Sequence, residues 1–154
     1  MDDPHNLDRF LRAQAGAYAQ ALGELHRGRK TGHWIWFIFP QVAGLGSSPT
    51  SRLYAIASLD EARAYADHLV LGPRLIECAA AMLSHEGLTA REILGSPDDL
   101  KLRSSMTLFA AAAPRSRCSP RRSSGSSAAR PIHLLWRGLA SSRVRLGAGS
   151  PIWR

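Results

Sequence analysis

The chain is poor in most of the residues that announce chemistry. Its 154 residues include two cysteines, Cys78 and Cys118. Neither stands in a CxxC pattern or at a metal-ligating interval from a histidine, so a disulfide framework and a zinc site are not expected. Cys78, within "LIECAAAML", reads as a small buried apolar residue on a helix. His5, His26, His68 and His85 are scattered without ligand spacing and read as surface or helix-end residues. No G-x-x-x-x-G-K-[ST], G-x-G-x-x-G or H-E-x-x-H occurs, and "GLGSS" lacks the lysine of a phosphate loop. No acyl-transfer triad can be assembled, and no cofactor is expected. Long apolar runs are missing too. The longest, "WIWFIF", spans six residues, against about 20 for a membrane-crossing helix. The opening "MDDPHNLDRF" is acidic and amphipathic, unlike a secretory leader. These absences lead to the expectation of a cytoplasmic protein without membrane contact.

Negative charge is absent from one end only. Residues 1–114 hold eleven Lys/Arg and all twelve Asp/Glu, a balance of −1, whereas residues 115–154 hold nine Arg and no acid, a balance of +9. The net charge of +8 therefore belongs to the tail, and the body lacks the basic excess expected of a nucleic-acid-binding domain.

What is present reads as helices. "NLDRFLRAQAGAYAQALGELHRG" places Leu7, Phe10, Leu11, Gln14, Tyr18, Leu22 and Leu25 on one face, with Asp3 or Asn6 as cap and Gly28 as stop; all but Gln14 suit burial. The aromatic segment from His33 to Pro40 suits either a buried short strand or a tight helical turn. Residues 43–50 read as a loop. "SLDE" is a capping box opening a helix to about Leu69. "GPRLIECAAAMLSHEG" puts Pro73 at a first helical position. "TARE" is a second capping box, for a short helix ending at Gly95. In "SPDDLKLRSSMTLFAAAAP" Ser96 is the expected cap, Pro97 the first helical residue, and Leu102, Ser105, Met106 and Phe109 the buried face. Five helices without a strand pair predict a mainly α fold, a small single helical domain over residues 3–113.

From Pro114 the pattern changes to "RSRCSPRRSSGSSAARP", without caps, amphipathic period or acid. Such a tail is either a disordered arm, a nucleic-acid-binding arm, or a stretch translated out of frame. The third reading has a specific basis. Read one base out of register, TCN serine codons give Phe, Leu, Ile or Val, and the segment with GC-rich codons becomes an apolar helix, a Gly-Gly turn and an Asp-Pro cap.

"NLDRFLRAQ", "GRKTGHWIWFIFPQ", "GLGSS", "YAI", "LGPRLIEC" and "DDLKLRSSMTLF" together resemble the bacterial family filed as domain of unknown function 1810, over about residues 3–109. That resemblance implies a small, mainly α-helical fold without an assigned biochemical activity. It also implies a closing helix and a D-P-x-T-L ending, which this chain shows only out of frame, so the domain is expected to lack its C-terminal helix. The name calpastatin, sometimes given to such sequences, does not fit: calpastatin is a disordered inhibitor, and this chain has capped helices and an aromatic core.

Two segments carry candidate chemistry. In "GRKTGHW" the charges of Arg29 and Lys30 and the imidazole of His33 flank Trp34 and Trp36, a combination suited to an anion or a nucleotide. In "KLRSSMTLF" Lys101 and Ser104 share a helical face, with Arg103 adjoining. Each has a plainer reading. The first is a basic helix end followed by core aromatics; the second is a solvated helix face. Arg74 and Glu77, three apart, read as an ordinary ion pair. The leading expectation is a small-ligand- or partner-binding helical domain, its anion pocket lined by Arg29, Lys30, His33, Trp34, Trp36, Lys101, Arg103 and Ser104. The alternatives are an enzyme on a nucleotide-like or ADP-ribose-like substrate, using Glu77 or Asp98 as acid/base, and nucleic-acid binding through the tail.

Overall fold

Asp3 starts the first helix from outside it. Its two carboxylate oxygens accept from the backbone N–H of Leu7 (2.8 Å) and Asp8 (2.9 Å), satisfying donors that a helix start leaves open, and α1 runs Asp8–Ala15. The expected single long helix is in fact two. Glycine in a helix interior costs about 1 kcal/mol relative to alanine, and at Gly16 the chain breaks before α2, Tyr18–Arg27, which stops at Gly28 in the left-handed conformation (φ +73°).

The computed structural model describes residues 2–113; the tail, with each of its three readings, lies outside them. The aromatic segment is the helical alternative rather than a strand: α3 is the single turn Ile35–Ile38. Among the described residues the nearest approach to a sheet is one isolated parallel bridge, Val42 with Ile56. The expected loop contains its own helix, α4 (Pro49–Leu53), because Ser48 caps it with its hydroxyl and Pro49 sits where no N–H is needed.

The capped helices follow. Ser58 accepts from Glu61 N–H (3.1 Å) to open α5, Leu59–Asp67. The box is half formed, since the Glu61 carboxylate turns instead to Ala57 N–H (2.8 Å) and Arg9. Helix α6, Leu71–Leu83, begins two residues before Pro73, because the His68 ring nitrogen accepts from Val70 and Leu71 N–H. The Thr89–Glu92 box forms completely and opens α7, Ala90–Leu94. Helix α8, Asp98–Ala112, starts after Pro97 and takes no side-chain cap, so Ser96 does not serve as one. Among the described residues eight helices stand where five were expected, two of the three extra ones being short turns in the aromatic and loop segments.

Helix α5 packs on α6 and α8, α2 on α6, α1 on α3 and α7 on α8. Tyr65 is the hub. Its ring meets Phe10 edge-on at 5.0 Å and Phe109 at 5.4 Å, joining α1, α5 and α8. Leu102, Ser105, Met106 and Phe109 are buried as expected, as is Cys78. Burial, with the neighbouring Glu77 charge, pushes the Cys78 thiol up to about 12, so it stays protonated and unreactive at neutral pH.

Gln14 departs from expectation. It is 1% exposed, its Nε2 donating to the Phe37 carbonyl (2.8 Å) and to the Tyr65 hydroxyl (3.0 Å) and its Oε1 accepting from Arg74 (3.3 Å). A buried amide is tolerated when its groups are paired, and here it ties α1 to α3, α5 and α6.

Candidate functional site

The segment after Gly28 is organised by Glu24, in the last turns of α2. One carboxylate oxygen accepts from Thr31 N–H (2.7 Å), Gly32 N–H (2.9 Å) and Trp34 Nε1–H (2.8 Å). The other accepts from the Thr31 hydroxyl (2.9 Å) and Gln20 Nε2 (2.8 Å). The side chain is 1% exposed. Burial pushes its pKa up, but the bonds from Gly32, Thr31, Gln20 and Trp34 outweigh it and hold the carboxyl well below its ordinary 4.5. A β-carbon at Gly32 would stand 2.8 Å from the Trp34 ring and 3.2 Å from the Glu24 carboxylate, so only glycine lets the backbone wrap this closely.

Folded in this way, the loop delivers Lys30 to α8. Lys30 Nζ meets Asp98 Oδ2 at 2.7 Å and donates to the Gly32 carbonyl at 2.6 Å. Lys101 Nζ meets the other oxygen, Asp98 Oδ1, at 2.7 Å. Each ammonium also lies over an indole, Lys30 at 5.3 Å from the Trp34 ring centre and Lys101 at 4.0 Å from that of Trp36. Lys30 is 8% exposed, Asp98 16% and Lys101 20%, so the trio is graded from interior to solvent. Burial pushes Asp98 up, and the bonds from Lys101 and Lys30 more than reverse it, holding the carboxyl below its ordinary 3.8. The two ammoniums share the single Asp98 carboxylate, and Lys101 is the more exposed of the pair. The chain has two lysines in all, against eighteen arginines, and both are here.

The structure thus brings together four of the residues picked from sequence, Lys30, Trp34, Trp36 and Lys101, with Asp98 between them. Arg29, His33 and Arg103 are exposed. Ser104 donates its hydroxyl to the Leu100 carbonyl within α8 (3.0 Å). Glu77 is elsewhere: it accepts from the Tyr18 hydroxyl at the start of α2, roughly 9 Å along the helix axis from Glu24 at 1.5 Å per residue. Nor does Glu77 pair with Arg74, whose guanidinium stacks on the Tyr18 ring at 4.6 Å and reaches Gln14. Sequence reasoning missed Glu24 and Gln14, although each is a polar residue inside an apolar helical stripe. The two-lysine inventory was a further readable signal.

A separate cavity of about 110 Å³ lies beside Trp36. Of the residues picked from sequence only Trp36 lines it; the rest of the wall comes from the 41–46 and 51–55 segments. Arg9 holds that wall from behind, donating to the carbonyls of Leu53 (2.8 Å) and Ala55 (2.9 Å) while paired with Glu61. Among the described residues no group of three or more His, Cys, Asp and Glu is placed to hold a metal ion, and no helix is long and apolar enough to cross a membrane.

A family model described as a protein of unknown function (DUF1810) matches residues 4–121. The crystal structure of the conserved hypothetical protein Rv1873 from Mycobacterium tuberculosis is similar, at 56% identity and a TM-score of 0.71, over 72% of this chain and 79% of that one. No curated protein matches.

Proposed function

The chain belongs to the DUF1810 family, and from that premise we propose that it is a small-ligand-binding helical domain whose ligand carries an anionic group recognised at the Lys30–Asp98–Lys101 cluster. One observation carries the reading: the chain's two lysines converge on one carboxylate, each against a tryptophan, with Lys101 the more exposed of the pair. An anion at Lys101 gains a charge-assisted hydrogen bond, and the Trp36 indole supplies apolar area for the remainder of the ligand.

The acid/base alternative draws less support. A catalytic acid needs a carboxyl whose pKa is raised toward neutrality; Asp98 is held low, and Glu77 lies away from the cluster, against the Tyr18 hydroxyl. The nucleic-acid alternative rests on residues outside those described. Calorimetric titration of the full chain with inorganic phosphate, AMP and ADP-ribose tests the proposal. It expects saturable binding of at least one, weakened about tenfold or more in Lys101→Met, the loss of one charge-assisted bond. Unchanged affinity in Lys101→Met, or no saturable binding of any of the three up to about 10 mM, would overturn it.

A further inference from the structure

We propose that the cavity beside Trp36 is a binding site for a single flat heteroaromatic ring with a hydrogen-bonding edge, of nucleobase or nicotinamide size. The inference does not depend on the anion site: neither lysine lines the cavity, and Trp36 is the residue the two share.

Size comes first. At about 110 Å³ the space is below the roughly 300 Å³ at which ligand pockets begin, which excludes a whole nucleotide. It is close to the roughly 150 Å³ of a protein cavity known to take benzene, which admits one ring. The walls suit a ring that is not purely apolar. Trp36 and Tyr54 bring aromatic surface. Gln41, also in the wall, keeps its carboxamide nitrogen buried with no hydrogen-bond partner. Its neighbours' polar termini are already engaged: the Ser51 hydroxyl donates to the Ser48 carbonyl (2.7 Å) and Arg52 to the Ser47 carbonyl. A turn of the Gln41 carboxamide toward the cavity breaks no protein hydrogen bond of its buried nitrogen, and a ring edge that meets it there satisfies a group that is costly to leave unpaired.

The wall is also built in advance. Gln41 and Ala43 are locked to Ile56 by backbone bonds, Ile56 N–H to Gln41 O (2.8 Å) and Ala43 N–H to Ile56 O (2.9 Å). Gly46 packs so tightly that a β-carbon there would lie 2.6 Å from that of Ser51 and 3.8 Å from the Trp36 ring. A surface loop fixed at this many points has little conformational entropy left to lose on binding.

The test titrates adenine and nicotinamide, both uncharged at neutral pH, into the isotope-labelled full chain and follows amide and indole signals by NMR. Saturable shifts at the Trp36 indole, the Gln41 side-chain amide and the 43–46 backbone support the proposal, as does about tenfold weaker binding in a Gln41→Leu chain that melts as the unaltered one does. Shifts located elsewhere, no shift up to about 10 mM, or equal affinity in Gln41→Leu would overturn it. Inorganic phosphate, which has no ring, separates the two sites. It should leave the Gln41 amide and the 43–46 backbone still whatever it does at Lys101, whereas the Trp36 indole, which lies under Lys101, reports on both sites. If phosphate moves the Gln41 and 43–46 signals and neither ring does, the ring site is refuted while an anion site survives.

Discussion

The α5–α6–α8 core and the segment from Glu24 to Ala57 are stabilised in opposite ways. In the core, apolar side chains from several helices share the burial, and Tyr65, Leu75, Met106 and Phe109 lie at 0–1% exposure; each contact has neighbours that compensate when one changes. In the loops, single polar side chains hold whole stretches of backbone: Glu24 organises 31–34, Arg9 secures 53–55 and Glu61 fixes Ala57. Close packing is redundant, whereas a buried carboxylate with five donors is not. The Trp36 cavity is mounted on the second kind of structure, and the lysine cluster joins the two, Lys30 coming from the loop and Asp98 and Lys101 from α8.

The largest effect should come from Glu24. Glu24→Ala leaves the N–H groups of Thr31, Gly32 and Trp34 without their acceptor, and urea denaturation should show a loss of about 3–5 kcal/mol. The same residue should dominate the acid limb of stability. Its folded-state pKa lies below the unfolded value of 4.5, so its contribution is complete above that pH and is lost as pH falls through the folded value. Replacing it by glutamine should flatten the stability profile just below 4.5. A profile as steep as the unaltered chain's would assign the acid sensitivity to other carboxylates.

Arg9→Met should come next, at about 2–3 kcal/mol, because it strips the Leu53 and Ala55 carbonyls of a donor and leaves Glu61 unpaired. Met106→Leu, at 0% exposure in the core, should cost less than about 1.5 kcal/mol as a volume-conserving swap. A core swap costlier than the Arg9 change would break the comparison outright. Arg12→Ala removes an exposed pair with Asp8 on α1 and should fall within about 0.5 kcal/mol of no change.

The same division explains what was legible. Helix starts at Ser58 and Thr89 and the stop at Gly28 could be read because a cap and its partners lie within four residues of one another. The buried face of α8 could be read because its period is local. Glu24 could not, since its loop partners come seven, eight and ten residues later, and neither could Arg9, whose wall partners lie 44 to 52 residues away. The site was half legible: its lysines and tryptophans were named, but Asp98 was picked as a proton-transfer group, whereas the structure makes it the bridge between two ammoniums. The strand alternative for the aromatic segment failed because six apolar residues are too few for periodicity to separate a strand from one helical turn. The tail's reading frame is a separate matter, answered by the nucleotide sequence across the Pro114 codon. A frame that continues the helical pattern into D-P-x-T-L is expected, and its absence would make the basic arm genuine.

The central claim is that an anion binds where the two lysines meet Asp98. Because the chain holds no other lysine, the side-chain ammonium NMR spectrum of the full protein should contain two signals, Lys30 and Lys101, both reporting from this site. Titration with inorganic phosphate, AMP and ADP-ribose should move the Lys101 signal saturably with at least one of them, with a smaller shift at the more buried Lys30. Two signals that stay fixed across all three titrations would show that the cluster is a staple between the loop and α8, and the binding reading would fall.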